Sequence, residues 1–220
     1  MAQGDTDVTI CNKALLLLGS DGFTSMNDGT LQANACSQMY EEIKMLTFGL
    51  YPWSFTLAKV QLVRDSATPQ NEWTYQYRMP NDMINNVPRA VRTTSSPGGP
   101  LITSFELGQS TGGYQVLMTE ATEIHIDYQK AISEGAMPKY FVQLLVYQVA
   151  WHLAEVITDQ VTKSQYWRQV AIGMDSESGR GGYLRQAMNI DASGQNNSII
   201  GQYMLTDVRL SLIHISEPTR

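Results

Sequence analysis

Tyr51-Pro52-Trp53-Ser54-Phe55 sets three aromatic side chains around a proline, and this stretch decides how the chain reads on either side. Before it, apolar residues recur every three to four positions, the period of a helix with one buried face. After it, apolar and polar residues alternate, the period of a half-buried strand. Pro52 marks the handover. Proline has no N–H to give to a helical ladder, and its ring disfavours helical geometry in the residue before it. Tyr51, Trp53 and Phe55 are read as plugs at the base of a helix layer, since large aromatics bury ~150–250 Å² each.

Upstream, Asp5 or Thr6 is a candidate cap for a first helix whose stripe is Val8, Cys11, Ala14, Leu15 and Leu18. Gly19 stops it. Asp28 or Thr30 is a candidate cap for a second helix, roughly Leu31 to Leu50. Its expected buried stripe is Cys36, Met39 or Tyr40, Ile43, Leu46 and Leu50. The two cysteines, Cys11 and Cys36, sit on these stripes and read as reduced core thiols; no further ligand at short spacing makes them a metal site.

Downstream, Trp73, Tyr75, Tyr77 and Met79 alternate with polar partners and predict a strand that Pro80 ends, with Arg78 on its polar side. Further strands are expected at Leu101 to Leu107, Tyr114 to Met118, and Ile124 to Tyr128. Gly- and Ser-rich turns separate them. Helices return at Pro138, a favourable residue for a first turn. The segment from Tyr140 to Val156 is apolar nearly all round, which predicts a helix buried on most sides. Thr162 is a candidate cap for a last helix, broken at Gly179-Arg180-Gly181-Gly182. The expected fold is α+β: an antiparallel helical bundle (residues 1–54 and 131–192), an inserted antiparallel β-rich subdomain (55–130) and a C-terminal extended arm (193–207). Ile199, Ile200, Tyr203 and Leu205 are the arm's candidate docking side chains. Residues 208–220 are set apart as a non-native tail, because Ser211 to Arg220 resembles translated sequencing-adapter read-through.

Composition narrows the function. The 220-residue chain is 16% charged, against ~25% for an ordinary soluble domain. Its formal charge is −6, and its basic residues are scattered apart from Arg89 and Arg92. Nucleic-acid readers carry a basic patch, so direct grip on DNA is not expected. No signal peptide is visible, and Ala14 to Leu18 is far short of the ~18 apolar residues of a membrane span.

Three groupings were weighed as chemistry. Gly108-Gln109-Ser110-Thr111-Gly112 fits the G-x-S-x-G pattern, but that pattern works as a strand-to-helix turn with an acid and then a histidine downstream. Here a β-like segment follows at once, and a hairpin loop is the better reading. A serine hydrolase acting through Ser110 on a host polysaccharide or ester is kept as the competing function. His125 and Asp127 share one strand face, and two ligands do not make a metal site. Glu41-Glu42 reads as a solvated or subunit-facing acid pair. No cofactor motif is present, and no catalytic, cofactor or metal residue is assigned.

The residues do resemble a family. Ile10-Cys11-Asn12-Lys13-Ala14-Leu15 running to Leu18-Gly19, Asp28 with Ala35-Cys36 and Tyr40, and Leu50 to Phe55 come first. Trp73-Thr74-Tyr75-Gln76-Tyr77-Arg78-Met79-Pro80 with Asp82 follows, then the helix at Pro138 with Leu153-Ala154 and Ile157-Thr158. In this order and spacing, over roughly residues 6 to 190, the chain resembles the tail tubular protein A family of autographivirus-type short-tailed bacteriophages. The resemblance implies a helical bundle with a β-rich insertion, assembled as a ring of twelve in the virion tail. It implies a portal protein above, a tail nozzle protein of the tubular protein B type below, and DNA passing through the lumen without specific binding. It also implies assembly in the host cytoplasm, no membrane partner and no enzymatic activity. The Gly179–Gly182 break and the arm after Ala192 depart from the family pattern. Connectors of the long-tailed type are usually small and helical, and the β segment from Phe55 to Lys130 argues against that alternative.

Overall fold

Thr6 starts the first helix, α1 (Asp7–Leu18), by a reciprocal cap. Its hydroxyl accepts the Thr9 N–H at 3.2 Å, and the Thr9 hydroxyl accepts the Thr6 N–H at 2.7 Å, so two donors at the open helix end are satisfied. Gly19 ends α1 in the left-handed region at φ 75°, where a glycine carries no Cβ penalty. Thr30 caps α2 (Leu31–Gly49) by accepting the Ala33 N–H. The computed structural model describes residues 4–69, 71–96 and 99–194; the docking residues of the expected arm, Ile199, Ile200, Tyr203 and Leu205, lie outside them.

The loop between α1 and α2 is held by two residues quoted above for their resemblance. Asn12 accepts the Phe23 N–H at 3.0 Å and donates to the Phe23 carbonyl at 2.8 Å. Asp28 accepts the N–H groups of Thr24 and Ser25 and the Thr24 hydroxyl. Both side chains replace water at backbone groups that no helix satisfies.

Pro138 opens α3 (Lys139–Thr158), which is packed by α1, α2, α4 (Val161–Ile172) and α5 (Gly182–Ser193). Among the described residues α3 is long and apolar enough to cross a bilayer. Its Phe141, Leu144, Leu145, Val149 and Leu153 are fully buried in the helical core. The glycine-rich break between α4 and α5 has a steric cause. A Cβ on Gly173 would lie 2.6 Å from the Gly181 Cα, and one on Gly182 would lie 2.7 Å from the Val170 carbonyl oxygen. The end of α4 and the start of α5 touch backbone to backbone, which only glycine permits.

Six strands are present among the described residues: β1 (Leu57–Gln61), β2 (Tyr75–Arg78), β3 (Ala90–Arg92), β4 (Glu106–Gln109), β5 (Gln115–Thr119) and β6 (His125–Gln129). They form two antiparallel three-stranded sheets, in the orders β1-β6-β3 and β2-β5-β4. Val60 and Val91 both face Ile126 across β6. The chain leaving β1 crosses to the other sheet, where the Asp65 N–H bonds the Gln76 carbonyl and the Arg78 N–H bonds the Val63 carbonyl. Tyr77, Leu117, Ile124, Ile126 and Tyr128 make a second core, separate from the helical one. The fold is α+β.

Several sequence expectations need correction. On α2 the buried face after Ile43 runs through Thr47 and Phe48, while Leu46 and Leu50 are 56% and 44% exposed. A spacing of three and then four from Ile43 fits either face, so the period could not choose. Trp73 precedes its strand, which starts at Tyr75, and Gln76 is buried beside Tyr77 because the run after β1 covers that side. The strand expected at Leu101 to Leu107 is displaced to Glu106–Gln109; Leu101 and Ile102 only bridge to the edge of β3. Gln160, not Thr162, precedes α4. Ser193, assigned to the arm, closes α5.

Asp5 clamps the bundle from outside α1. Its buried carboxylate takes Lys13 at 2.5 Å and Lys139 of α3 at 2.8 Å. The Lys13 ammonium first, and Lys139 second, hold it below the usual carboxylate range. A carboxyl lowered in the fold adds stability that is complete above its unfolded value, about 3.9, and is lost as pH falls through the folded one. The Asp5→Asn variant is expected to be less stable than wild type in urea melts at pH 7, and the gap to close as pH drops below about 4.

Candidate functional site

The aromatic corner lies in the helical core, where the chain passes from α2 to β1. The Trp53 side chain is fully buried, and its indole N–H donates to the Thr47 carbonyl at 3.3 Å. Its ring meets Phe141 edge-on at 5.2 Å and Tyr51 at 5.1 Å. Phe48 stacks on Phe141 at 4.8 Å, and Phe55 packs edge-on against it at 5.1 Å. Such pairs add ~0.5–1.5 kcal/mol beyond burial. Pro52 is exposed, so its part is to end α2.

Asp191 completes the corner, and sequence reasoning missed it. From the last turn of α5 its carboxylate accepts the Ser54 N–H at 2.9 Å, the Ser54 hydroxyl at 2.6 Å and the Tyr140 hydroxyl at 2.7 Å. Asp191 is 3% exposed. Burial, then Asp191, push the Tyr140 phenol upward, so it stays protonated as donor. Asp191 falls on the same buried face as Leu184 and Ala187, and the sequence does not name its partners, which are 51 and 137 residues away.

The second aromatic set is not part of this corner. Tyr77 is buried in the β core and donates to the Ala121 carbonyl at 2.7 Å. The Arg64 guanidinium sits 3.9 Å over Tyr75, and Arg78 4.2 Å over Tyr114. Pro80 follows the last bonded N–H of that segment, Met79 to Gln115. Trp73 belongs to neither core; its indole donates to Glu106 at 2.9 Å at the surface.

Ser110 opens the turn between β4 and β5. Its N–H donates to the Tyr114 carbonyl, its carbonyl accepts the Gly113 N–H, and its hydroxyl accepts the Gly112 N–H at 3.4 Å. Gly113 takes the left-handed conformation at φ 80°. The cleft beside it is lined by Thr68, Asn71, Gln76, Gln109, Thr111 and Met118 among others. Among the described residues that lining has no histidine or carboxylate to take a proton. The strands on both sides are antiparallel neighbours, which is not the strand-to-helix turn that a nucleophile elbow needs.

The first sheet carries a pocket of about 270 Å³ lined by Lys59, Gln61, Arg92, His125 and Asp127 among others. Arg92 donates to Asp127 at 2.5 Å, while His125 turns to Glu123 at 3.2 Å. The two strand residues weighed as ligands therefore have different partners. Among the described residues no three His, Cys, Asp or Glu side chains group as a metal site.

No protein family matches the chain, and no curated protein does. Among solved structures it is similar to a chain from the neck of an empty gene transfer agent (GTA) particle computed with C6 symmetry. The identity is 14% and the TM-score 0.27, over 76% of this chain and 95% of that one. A superposition that loose transfers neither fold nor role.

The corner generates two expectations. Trp53→Ala is expected to cost ~3–5 kcal/mol in denaturant unfolding, as a large-to-small change in a closed core. Asp191→Ala removes the acceptor of three hydrogen bonds from exposed Ser54 and half-buried Tyr140, at ~0.5–1.5 kcal/mol each. It is expected to release α5 first, read as faster amide exchange there than in α3.

Proposed function

We propose that this chain is a structural subunit of the adaptor ring between the portal and the tail nozzle of a short-tailed bacteriophage. The observation that supports it best is where the family-like residues stand. Asn12, Asp28 and Trp53 hold the frame of the helical layer and its joint to the strands, and Tyr77 fills the β core, so the resemblance lies in residues that build the architecture. In this reading twelve copies close a ring. Residues 1–54 and 131–192 form its wall, and residues 55–130 face the nozzle.

A low charge fraction suits a subunit whose flanks neighbours bury, and a net charge of −6 suits a lumen that DNA slides through without sticking. The subunit is made in the host cytoplasm and ends in the virion tail. Among the described residues, the cleft beside Ser110 is lined by no histidine or carboxylate, and a hairpin stands in place of the elbow. The test is electron microscopy of the purified chain, alone and with the portal protein of its phage. Rings of about twelve subunits are expected, as head-to-tail contacts that close by rotation. A stable monomer that never forms rings with the portal present would overturn the reading.

A further inference from the structure

One face of the first sheet gathers bases that stand apart in the sequence. Lys59, Asp127 and Ala90 are in register across β1, β6 and β3, and Gln61, His125 and Arg92 form the next row. Val91, Ile126 and Tyr128 alternate with them and enter the β core. Two clefts open along these rows and share Arg92 and Asp127. One, of about 270 Å³, adds Lys59 and Ser95. The other, of about 460 Å³, adds Arg89 and an apolar lining of Leu57, Ala90 and Leu101, with Leu57 40% and Leu101 61% exposed. Among the described residues Asp127 is the one carboxylate in either lining, against Lys59, Arg89 and Arg92. It takes one N–H donor of the Arg92 guanidinium at 2.5 Å and stands 3.9 Å from Lys59. Arg89 is exposed and makes no ion pair among the described residues. Glu123 lies outside both linings, bonded to Gln61 and His125.

This groove is therefore basic on a chain whose formal charge is −6, and its bases border an apolar patch. We infer that it docks a segment of a partner protein in which carboxylates flank an apolar side chain. The apolar side chain rests on Leu57, Ala90 and Leu101. One carboxylate meets Arg89, and another reaches past the Arg92–Asp127 pair to Lys59. Isolated surface ion pairs are worth little, so the apolar seat supplies the anchor and the bases supply the selectivity. DNA suits the groove less well. Asp127 lies in both clefts and would meet an unbroken run of phosphates, and a phosphate backbone offers nothing to Leu57 and Leu101. The inference goes beyond the ring reading and does not depend on it, since docking is read on the chain in any oligomeric state.

The test is fluorescence anisotropy of labelled probes titrated with the full chain. The probes are a short peptide of aspartates and glutamates around one leucine, the same peptide with amides for the acids, the same peptide with lysines for the acids, and a short DNA duplex. The chain is wild type, Lys59→Glu, Arg89→Glu, their double variant and Leu101→Asp, with circular dichroism to show that each folds. Wild type is expected to bind the acidic peptide with a Kd below about 1 mM and the amide peptide at least about tenfold more weakly. Each single charge reversal, and Leu101→Asp, is expected to weaken the acidic peptide about three- to tenfold. The double variant is expected to prefer the lysine peptide, because the charges are restored in reverse. Wild type that binds neither peptide, or both alike, would overturn the groove and leave the ring reading standing. So would folded single variants that bind like wild type. Duplex DNA that binds wild type as tightly as the acidic peptide, and is lost with the same reversals, would overturn the protein partner in favour of nucleic acid.

Discussion

The burial of Trp53 is the constraint on which the rest of this molecule depends. Its indole can enter a closed core only if its N–H finds an acceptor, and the last turn of α2 supplies the Thr47 carbonyl. That bond folds the chain back on itself at Pro52. The fold-back places Ser54 where Asp191 reaches it from α5. One corner thus joins the second helix, the first strand, the central helix through Phe141 and Tyr140, and the last helix. Few other contacts here connect elements so far apart in the chain.

This arrangement explains why the molecule has two cores. The helical core is built around α3 and is closed by the corner. The β core is built around Tyr77, Ile126 and Leu117, and its strands enter and leave through residues next to Trp53 and Ala131. The β unit begins just after this hydrogen-bonded corner. Under the proposed function a ring wall presents its strands to a nozzle. In the first sheet Arg92 pairs with Asp127, while Gln61 and His125 turn to Glu123 just before β6.

Much of this was legible in the sequence because the responsible physics is local. Thr6, Gly19 and Thr30 act on backbone groups within one helical turn, so they mark α1 and α2 wherever those helices pack. The break near Gly179 was legible for the same reason. β1 was not, because four of its five residues are exposed and no period-two pattern arises. β3 is three residues long, too short for any period. Asp191 was missed because its partners, Tyr140 and Ser54, stand 51 and 137 residues away in the chain, and Leu46 was misplaced because two helical faces fit the same spacing. Trp73 reads as core by residue type alone, yet Glu106 satisfies its N–H at the surface.

The central claim is that the chain is an adaptor-ring subunit, and a cryo-electron microscopy map of the head–tail junction of a particle carrying it tests that most directly. The account predicts a closed ring of this chain between portal and nozzle, with α1–α5 in the wall and the strands toward the nozzle. A junction whose density between portal and nozzle is filled by another protein, with this chain elsewhere or absent, would contradict it.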